Sequence, residues 1–159
     1  MVDTLIRPDR DQIQHWLDSF SVETYLCDNC QAIHLTALQR CEGVMEARLF
    51  TDPEWVLLSC EAELKPTGLL PLLGEMGNLN ATYPTTKIFV DIQDSTLPRL
   101  VVSQSLYVGA GVTLKQFEHF FTQTSEIIEQ VVGECNDNGV LMPNDEEAPV
   151  EASSTNTVH

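Results

Sequence analysis

Apolar residues recur at the spacing of a helix in the segment that follows Asp9. The residues of this stripe are Ile13, Trp16, Leu17 and Phe20. Asp9 is suited to cap the first turn because its carboxylate can accept a backbone N–H, and Gln12 stands at the third helical position, where a reciprocal partner is expected. The pattern therefore predicts a first helix with one apolar face.

Strand-like patterns follow this helix in four segments, at positions 22–27, 32–35, 44–51 and 55–64. Turn residues separate the members of each pair, namely Asp28-Asn29 in the first and Asp52-Pro53-Glu54 in the second. Apolar and polar residues alternate along 56–64, which is typical of an antiparallel strand with one buried face. We expect two antiparallel pairs here.

The middle of the chain predicts a short helix and then a hairpin. Pro66 and Pro71 lie near the start of a helix expected at 67–79, and the internal Gly74 and Gly77 weaken it. Strands at 86–92 and 100–108 flank a polar loop at 94–98. This hairpin is the strongest strand signal in the sequence.

A long third helix is predicted to start at Thr113, with Gln116 completing a capping box, and to end near Cys135. Its apolar stripe contains doubled positions at 120–121, 127–128 and 131–132. One buried stripe needs fewer apolar residues than this. The extra width indicates either deep burial under the sheet or a second strip for a dimer or a partner helix.

The order of these elements predicts an α+β fold in which an antiparallel sheet is flanked by helices. We assign residues 1–142 to a single domain. Residues 143–159 form an acidic segment, rich in Ser, Thr and Asn, with few apolar residues to bury. Such a composition predicts a disordered C-terminal tail.

Charge limits the partners that we expect for this chain. Its formal net charge is −16, and no Lys or Arg follows Lys115. Nucleic acids and anionic membranes attract clusters of basic residues, so neither is expected as a partner. The sequence instead predicts a protein partner, and a homodimer through the third helix or an open strand edge is a further expectation.

Residues 1–8 lack the basic start and the long apolar core of a signal peptide, so we expect a cytoplasmic protein. The five cysteines are an odd number, which argues against a disulfide framework. No GxSxG sequence frames a serine, and the histidines are scattered. The sequence therefore predicts a protein that is not an enzyme and assigns no catalytic, cofactor-binding or metal-binding residue.

Cys27 and Cys30 form the one CxxC pair, and three readings of it stay open. With His34 and Cys41 they would make a zinc set of three sulfurs and one nitrogen. Alone they would make a redox pair, although a strand-turn-strand setting and the neighbouring Asp28 disfavour the thiolate. The interpretation that we prefer is two packing cysteines that flank a turn.

Four short segments carry a family resemblance: CDNCQAIHL at 27–35, LPRLVVSQSL at 97–106, GVT at 111–113 and LMPND at 141–145. They resemble the YbjN family of bacterial proteins, and the likeness runs from the first helix into the tail. The resemblance implies a fold similar to type III secretion chaperones. It also implies a regulator, usually negative, of exopolysaccharide and other surface and virulence traits. A chaperone that holds an effector segment, and a thiol or zinc protein that uses Cys27 and Cys30, are the alternatives.

Overall fold

Six antiparallel strands form the sheet in the computed structural model, which describes residues 4–144. The strands are β1 (Thr24–Leu26), β2 (Ile33–Leu35), β3 (Glu46–Thr51), β4 (Trp55–Glu63), β5 (Lys87–Asp91) and β6 (Arg99–Tyr107). The helices are α1 (Arg10–Ser19), α2 (Thr36–Gln39), α3 (Leu69–Thr82) and α4 (Leu114–Asp137). The strands lie in the order β1-β2-β3-β4-β6-β5, which confirms the predicted α+β class.

Local capping explains where the two most regular helices begin. The Asp9 carboxylate accepts the N–H of Gln12 at 2.8 Å at the start of α1. At the start of α4 the Thr113 hydroxyl accepts the N–H of Gln116 at 3.1 Å, and the Gln116 side chain accepts the N–H of Thr113 at 2.8 Å. Both predicted N-caps are confirmed, because these contacts depend only on residues three positions apart, whereas the reciprocal side-chain contact is present at Gln116 and not at Gln12.

The sheet buries one face under α1, α3 and α4, and none of these three longer helices packs on the other face. Along β4 the residues at even positions from Val56 to Ala62 are at most 1% exposed, and they belong to the same core as Ile13, Leu72 and Ile128 of the three longer helices. The residues at odd positions of β4 point to the opposite side. We refer to that second side as the open face.

Helix α4 lies against the buried face, and Phe117 is its most enclosed aromatic residue at 0% exposed. The ring of Phe117 has centroid distances of 5.5 Å to Trp16 and 6.2 Å to Phe20 of the N-terminal region. Val131 and Val132 are both buried. Deep burial under the sheet therefore accounts for the pair at 131–132, whereas Phe121 and Ile127 of the other two pairs are half-buried and pack against the core.

Two elements differ from the prediction. Helix α2 follows β2 directly and went unpredicted, because its four residues are too few to show a helical period. Helix α3 starts from a turn of 3-10 helix at Pro66–Gly68 and continues to Thr82, beyond the predicted end at 79. Both differences concern short or weakly capped segments, where local signals are poor.

The chain after α4 turns back along the sheet. Leu141 forms a β-bridge with Leu64, and the N–H of Met142 donates to the carbonyl of Glu63 at 2.8 Å. The Asn144 side chain accepts the N–H of Gly43 at 2.8 Å. Most of the predicted tail, residues 145–159, lies outside the described residues, so its disorder stays a prediction.

None of the described helices has the length and apolar character needed to cross a membrane.

Candidate functional site

The β1–β2 hairpin brings two cysteines and a histidine together on the open face. Cys27 directly follows β1, Cys30 lies in the turn, and His34 is the central residue of β2. The two Sγ atoms are 2.9 Å apart, and Nε2 of His34 is 3.2 Å from each of them. Donor atoms of the types that zinc prefers thus converge on one point. We call these three residues the thiol–histidine cluster.

The imidazole of His34 is held in place from its flat side and from its second nitrogen. The Tyr25 ring stacks on it with a centroid distance of 4.6 Å and an interplanar angle of 10°. Nδ1 is buried and lies 3.4 Å from Oε2 of Glu46, although no described residue hydrogen bonds to it with good geometry. These contacts direct Nε2 towards the two sulfurs.

Gln39 of α2 links the two groups that hold the imidazole. Its side-chain oxygen accepts the hydroxyl of Tyr25 at 2.8 Å, and its Nε2 donates to Oε2 of Glu46 at 3.2 Å. A closed circuit of contacts therefore surrounds His34. Sequence reasoning missed this circuit because α2 was not predicted and because Glu46 reaches the site only through the pairing of β3 with β2.

The environment lowers the pKa of the Cys27 thiol and raises the pKa of the thiols of Cys41, Cys60 and Cys135. Hydrogen bonds with Cys30 and then with His34 lower the pKa of Cys27 to about 7. Burial has the opposite effect on two other cysteines, raising the pKa of Cys60 to about 12 and that of Cys135 to about 11. The thiol–histidine cluster therefore differs chemically from the cysteines of the core.

Two predictions about these cysteines need correction. Cys41 does not join the cluster, because it follows α2 and its Sγ is directed at the carbonyl of Ala37 at 3.8 Å, with the side chain packed against the core. The preferred interpretation of two packing cysteines that flank a turn is also incomplete, because neither Cys27 nor Cys30 is part of the hydrophobic core against which Cys41 packs. The predicted turn between them at Asp28-Asn29 is present.

The open face is the second candidate site. Cross-strand pairs place Trp55 opposite Tyr107, and Phe89 opposite Val101. Tyr107 is 85% exposed, while Trp55 and Phe89 are each 36% exposed. Beside them, a depression of about 370 Å³ lies over β5 and β6. Phe89 lies six residues along the strands from the Trp55–Tyr107 pair. Exposed faces of antiparallel sheets are normally polar, so exposed aromatic side chains at both places are unusual.

Charged side chains on the open face are paired with one another. Glu61 lies 3.7 Å from Arg48 and 3.4 Å from Arg99. The Arg48 guanidinium also stands 5.1 Å from the ring centroid of Phe50. Since the basic groups are engaged by carboxylates and rings, this surface is mixed rather than a basic patch.

Comparison with known proteins places the chain in a family. The model of the YbjN family, described as "Putative bacterial sensory transduction regulator", matches residues 9–137. The chain belongs to the YbjN family. Its resemblance to this family in the sequence is thereby confirmed, and the family is described as one of regulators rather than of enzymes.

Relatives match over almost their whole length. The chain is 38% identical to the proteins named "Uncharacterized protein YbjN" of Escherichia coli strain K12 and of Shigella flexneri, over 98% of this chain and 99% of each relative. The crystal structure of Escherichia coli YbjN, described as "a putative transcription regulator", superposes with a TM-score of 0.85 at 41% identity. That match covers 88% of this chain and 99% of the other, so the YbjN fold is shared.

Proposed function

We propose that this protein is a non-enzymatic regulator that acts by binding another protein through the open face. The observation that carries the proposal is an aromatic surface in which Trp55 and Tyr107 are paired at one end of the open face and Phe89 lies six residues further along the strands, on the side where none of the three longer helices packs. Aromatic residues are enriched where proteins bind each other, because they bury a large area with few rotatable bonds. The family description of a regulator supports the same conclusion.

The charge of the chain supports a protein partner over DNA. A net charge of −16 repels the phosphate backbone, and the basic Arg48 and Arg99 of the open face are already paired with Glu61. We therefore propose that any effect on transcription passes through another protein. Sequence-specific binding of a DNA duplex that weakens steeply with added salt would contradict this.

The biological role that we propose is negative regulation of exopolysaccharide and other surface and virulence traits from the cytoplasm. The sequence resemblance to regulators of such traits is its support. Deletion of the gene is expected to raise exopolysaccharide output, and expression of the full chain is expected to restore it. An unchanged output in the deletion strain would contradict this role while leaving the binding proposal to its own test.

The test of the binding proposal compares two variants of the full chain in an affinity pull-down from crosslinked native cells. The double variant Tyr107→Ser/Phe89→Ser removes apolar area from the open face. The control variant Leu70→Ser removes a 78% exposed apolar residue from α3, which packs on the other side of the sheet. We expect one near-stoichiometric partner with the natural protein and the control, and its loss with the double variant at unchanged thermal stability.

Retention of the same partner by the double variant would overturn the open face as the binding surface. A partner that proves to be a disordered segment of a secreted protein would favour the alternative role, that of a chaperone holding an effector segment. The exposed apolar residues of the open face support this alternative, because such a surface can bind an extended chain as well as a folded protein. Recovery of the protein itself would instead indicate a homodimer through this face.

A further inference from the structure

The thiol–histidine cluster is not explained by the binding of a partner to the aromatic surface. Its three donor atoms come from the residue after β1, from the turn and from β2, and all lie within 4.8 Å of one another. The convergence therefore requires a chemical account.

The donor types indicate which ligand fits. Two thiols and one imidazole nitrogen are ligands that zinc binds well, whereas calcium and magnesium require oxygen. The observed separations of 2.9 and 3.2 Å are shorter than the roughly 3.5–3.8 Å between ligands of a tetrahedral zinc site. A shift of less than about 1 Å by the half-buried Cys27 and Cys30 would open the space.

The surroundings of His34 match those of a metal-binding histidine. Such a histidine directs one ring nitrogen at the metal and the other at a carboxylate, which fixes its tautomer and orientation. Here Nε2 faces the sulfurs, and Nδ1 lies 3.4 Å from Glu46, whose carboxylate is itself fixed by Gln39. Stacking against Tyr25 prevents the ring from turning away.

We propose that Cys27, Cys30 and His34 bind one zinc ion, with Glu46 as the residue that positions His34 and with water in the fourth coordination position. Both sulfurs bind as thiolates, and their two protons pass to solvent when the ion enters. Cys41 takes no part, since its side chain is packed against the core after α2. The site lies on the open face near Tyr25, so zinc would stiffen the β1–β2 hairpin.

The test uses the full chain without a tag, reduced and stripped with a chelator, then titrated with zinc ions against a chromophoric chelator. We expect one equivalent of zinc, and a cobalt complex whose sulfur-to-metal charge-transfer absorption corresponds to two thiolates. Cys27→Ser and Cys30→Ser are expected to abolish stoichiometric binding. The matched control Cys41→Ser is expected to bind zinc as the natural protein does.

Glu46→Gln separates the positioning role from simple folding. It is expected to keep one equivalent of zinc but to lower the affinity about 10- to 100-fold. Uptake of less than about a tenth of an equivalent by the reduced natural protein would overturn the proposal. So would equal loss of binding in Cys41→Ser, or a Cys27–Cys30 disulfide whose reduction restores no zinc binding. Circular dichroism on every variant shows that loss of binding is not loss of fold.

Discussion

The side-chain amide of Asn80 hydrogen bonds to both backbone groups of Ile88. Its Nδ2 donates to the Ile88 carbonyl at 2.9 Å, and its Oδ1 accepts the Ile88 N–H at 3.1 Å. Strand β5 is an edge of the sheet, and Asn80 of α3 thus fills the place that another strand would take. This contact protects the edge from pairing with other chains.

Asn80→Ala is therefore expected to lower the free energy of unfolding by about 1–2 kcal/mol, since two hydrogen bonds of about 1 kcal/mol each are lost. Urea denaturation measures the loss. The control is Asn78→Ala, because Asn78 is exposed and its side chain hydrogen bonds to Glu75 of its own helix at 3.4 Å rather than to the sheet. We also expect light scattering to show self-association of Asn80→Ala alone, and equal behaviour of the two variants would refute the role of this contact.

Two glycines of the α3 region are expected to respond oppositely to alanine. A Cβ on Gly68 would stand 2.6 Å from the backbone oxygen of Val140, whereas a Cβ on Gly74 would meet nothing within 4 Å. We expect Gly68→Ala to destabilise the protein by about 1–3 kcal/mol through overpacking. Gly74→Ala should stabilise it by about 0.5–1 kcal/mol through helix propensity. Thermal unfolding shows whether each variant is more or less stable than the natural protein. A Gly68→Ala variant of unchanged stability would show that the 140–142 segment can move away from the added Cβ.

Phe117 of α4 is the aromatic residue on which α1 and α4 meet. Phe117→Ala is expected to lower the free energy of unfolding by about 3–5 kcal/mol, because a buried ring is lost and a cavity remains. Phe121→Ala is the matched control on the same helix, since Phe121 is only partly buried, with its ring centroid 6.3 Å from that of Phe117. Denaturant titration should show the larger loss for Phe117→Ala. Equal losses would mean that α4 packs less closely than described.

Tyr83 and Glu134 form a hydrogen bond of 2.6 Å between α4 and the end of α3. Acceptance by the Glu134 carboxylate favours the neutral phenol and raises the pKa of Tyr83 to about 12. The contribution to stability is thus complete below the ordinary pKa of about 10 and is lost as the pH rises through about 12. When tyrosinate absorption in the ultraviolet is followed against pH, the natural protein should show an ionisation step near pH 12, and Tyr83→Phe should lack that step. A step that persists in that variant would belong to another tyrosine.

Local patterns in the sequence determined much of the fold. The caps at Asp9 and Thr113 were predicted because each joins residues three positions apart, and the alternation along β4 determined which of its residues are buried. The tight turn between Cys27 and Cys30 was predicted for the same reason. Signals of this kind need no knowledge of the rest of the chain.

Tertiary structure alone decided what the open face contains. The stacking of Tyr25 on His34 depends on the register of β1 with β2, and Glu46 reaches the site because β3 pairs with β2. The pairing of Trp55 with Tyr107 likewise requires that β6 lie beside β4. Such contacts join residues that are distant in sequence, and the free energy that selects one strand order comes from burying the whole opposite face. No short segment carries that information, so the approach of Glu46 to His34, the exclusion of Cys41 and the aromatic surface emerge only in the folded chain.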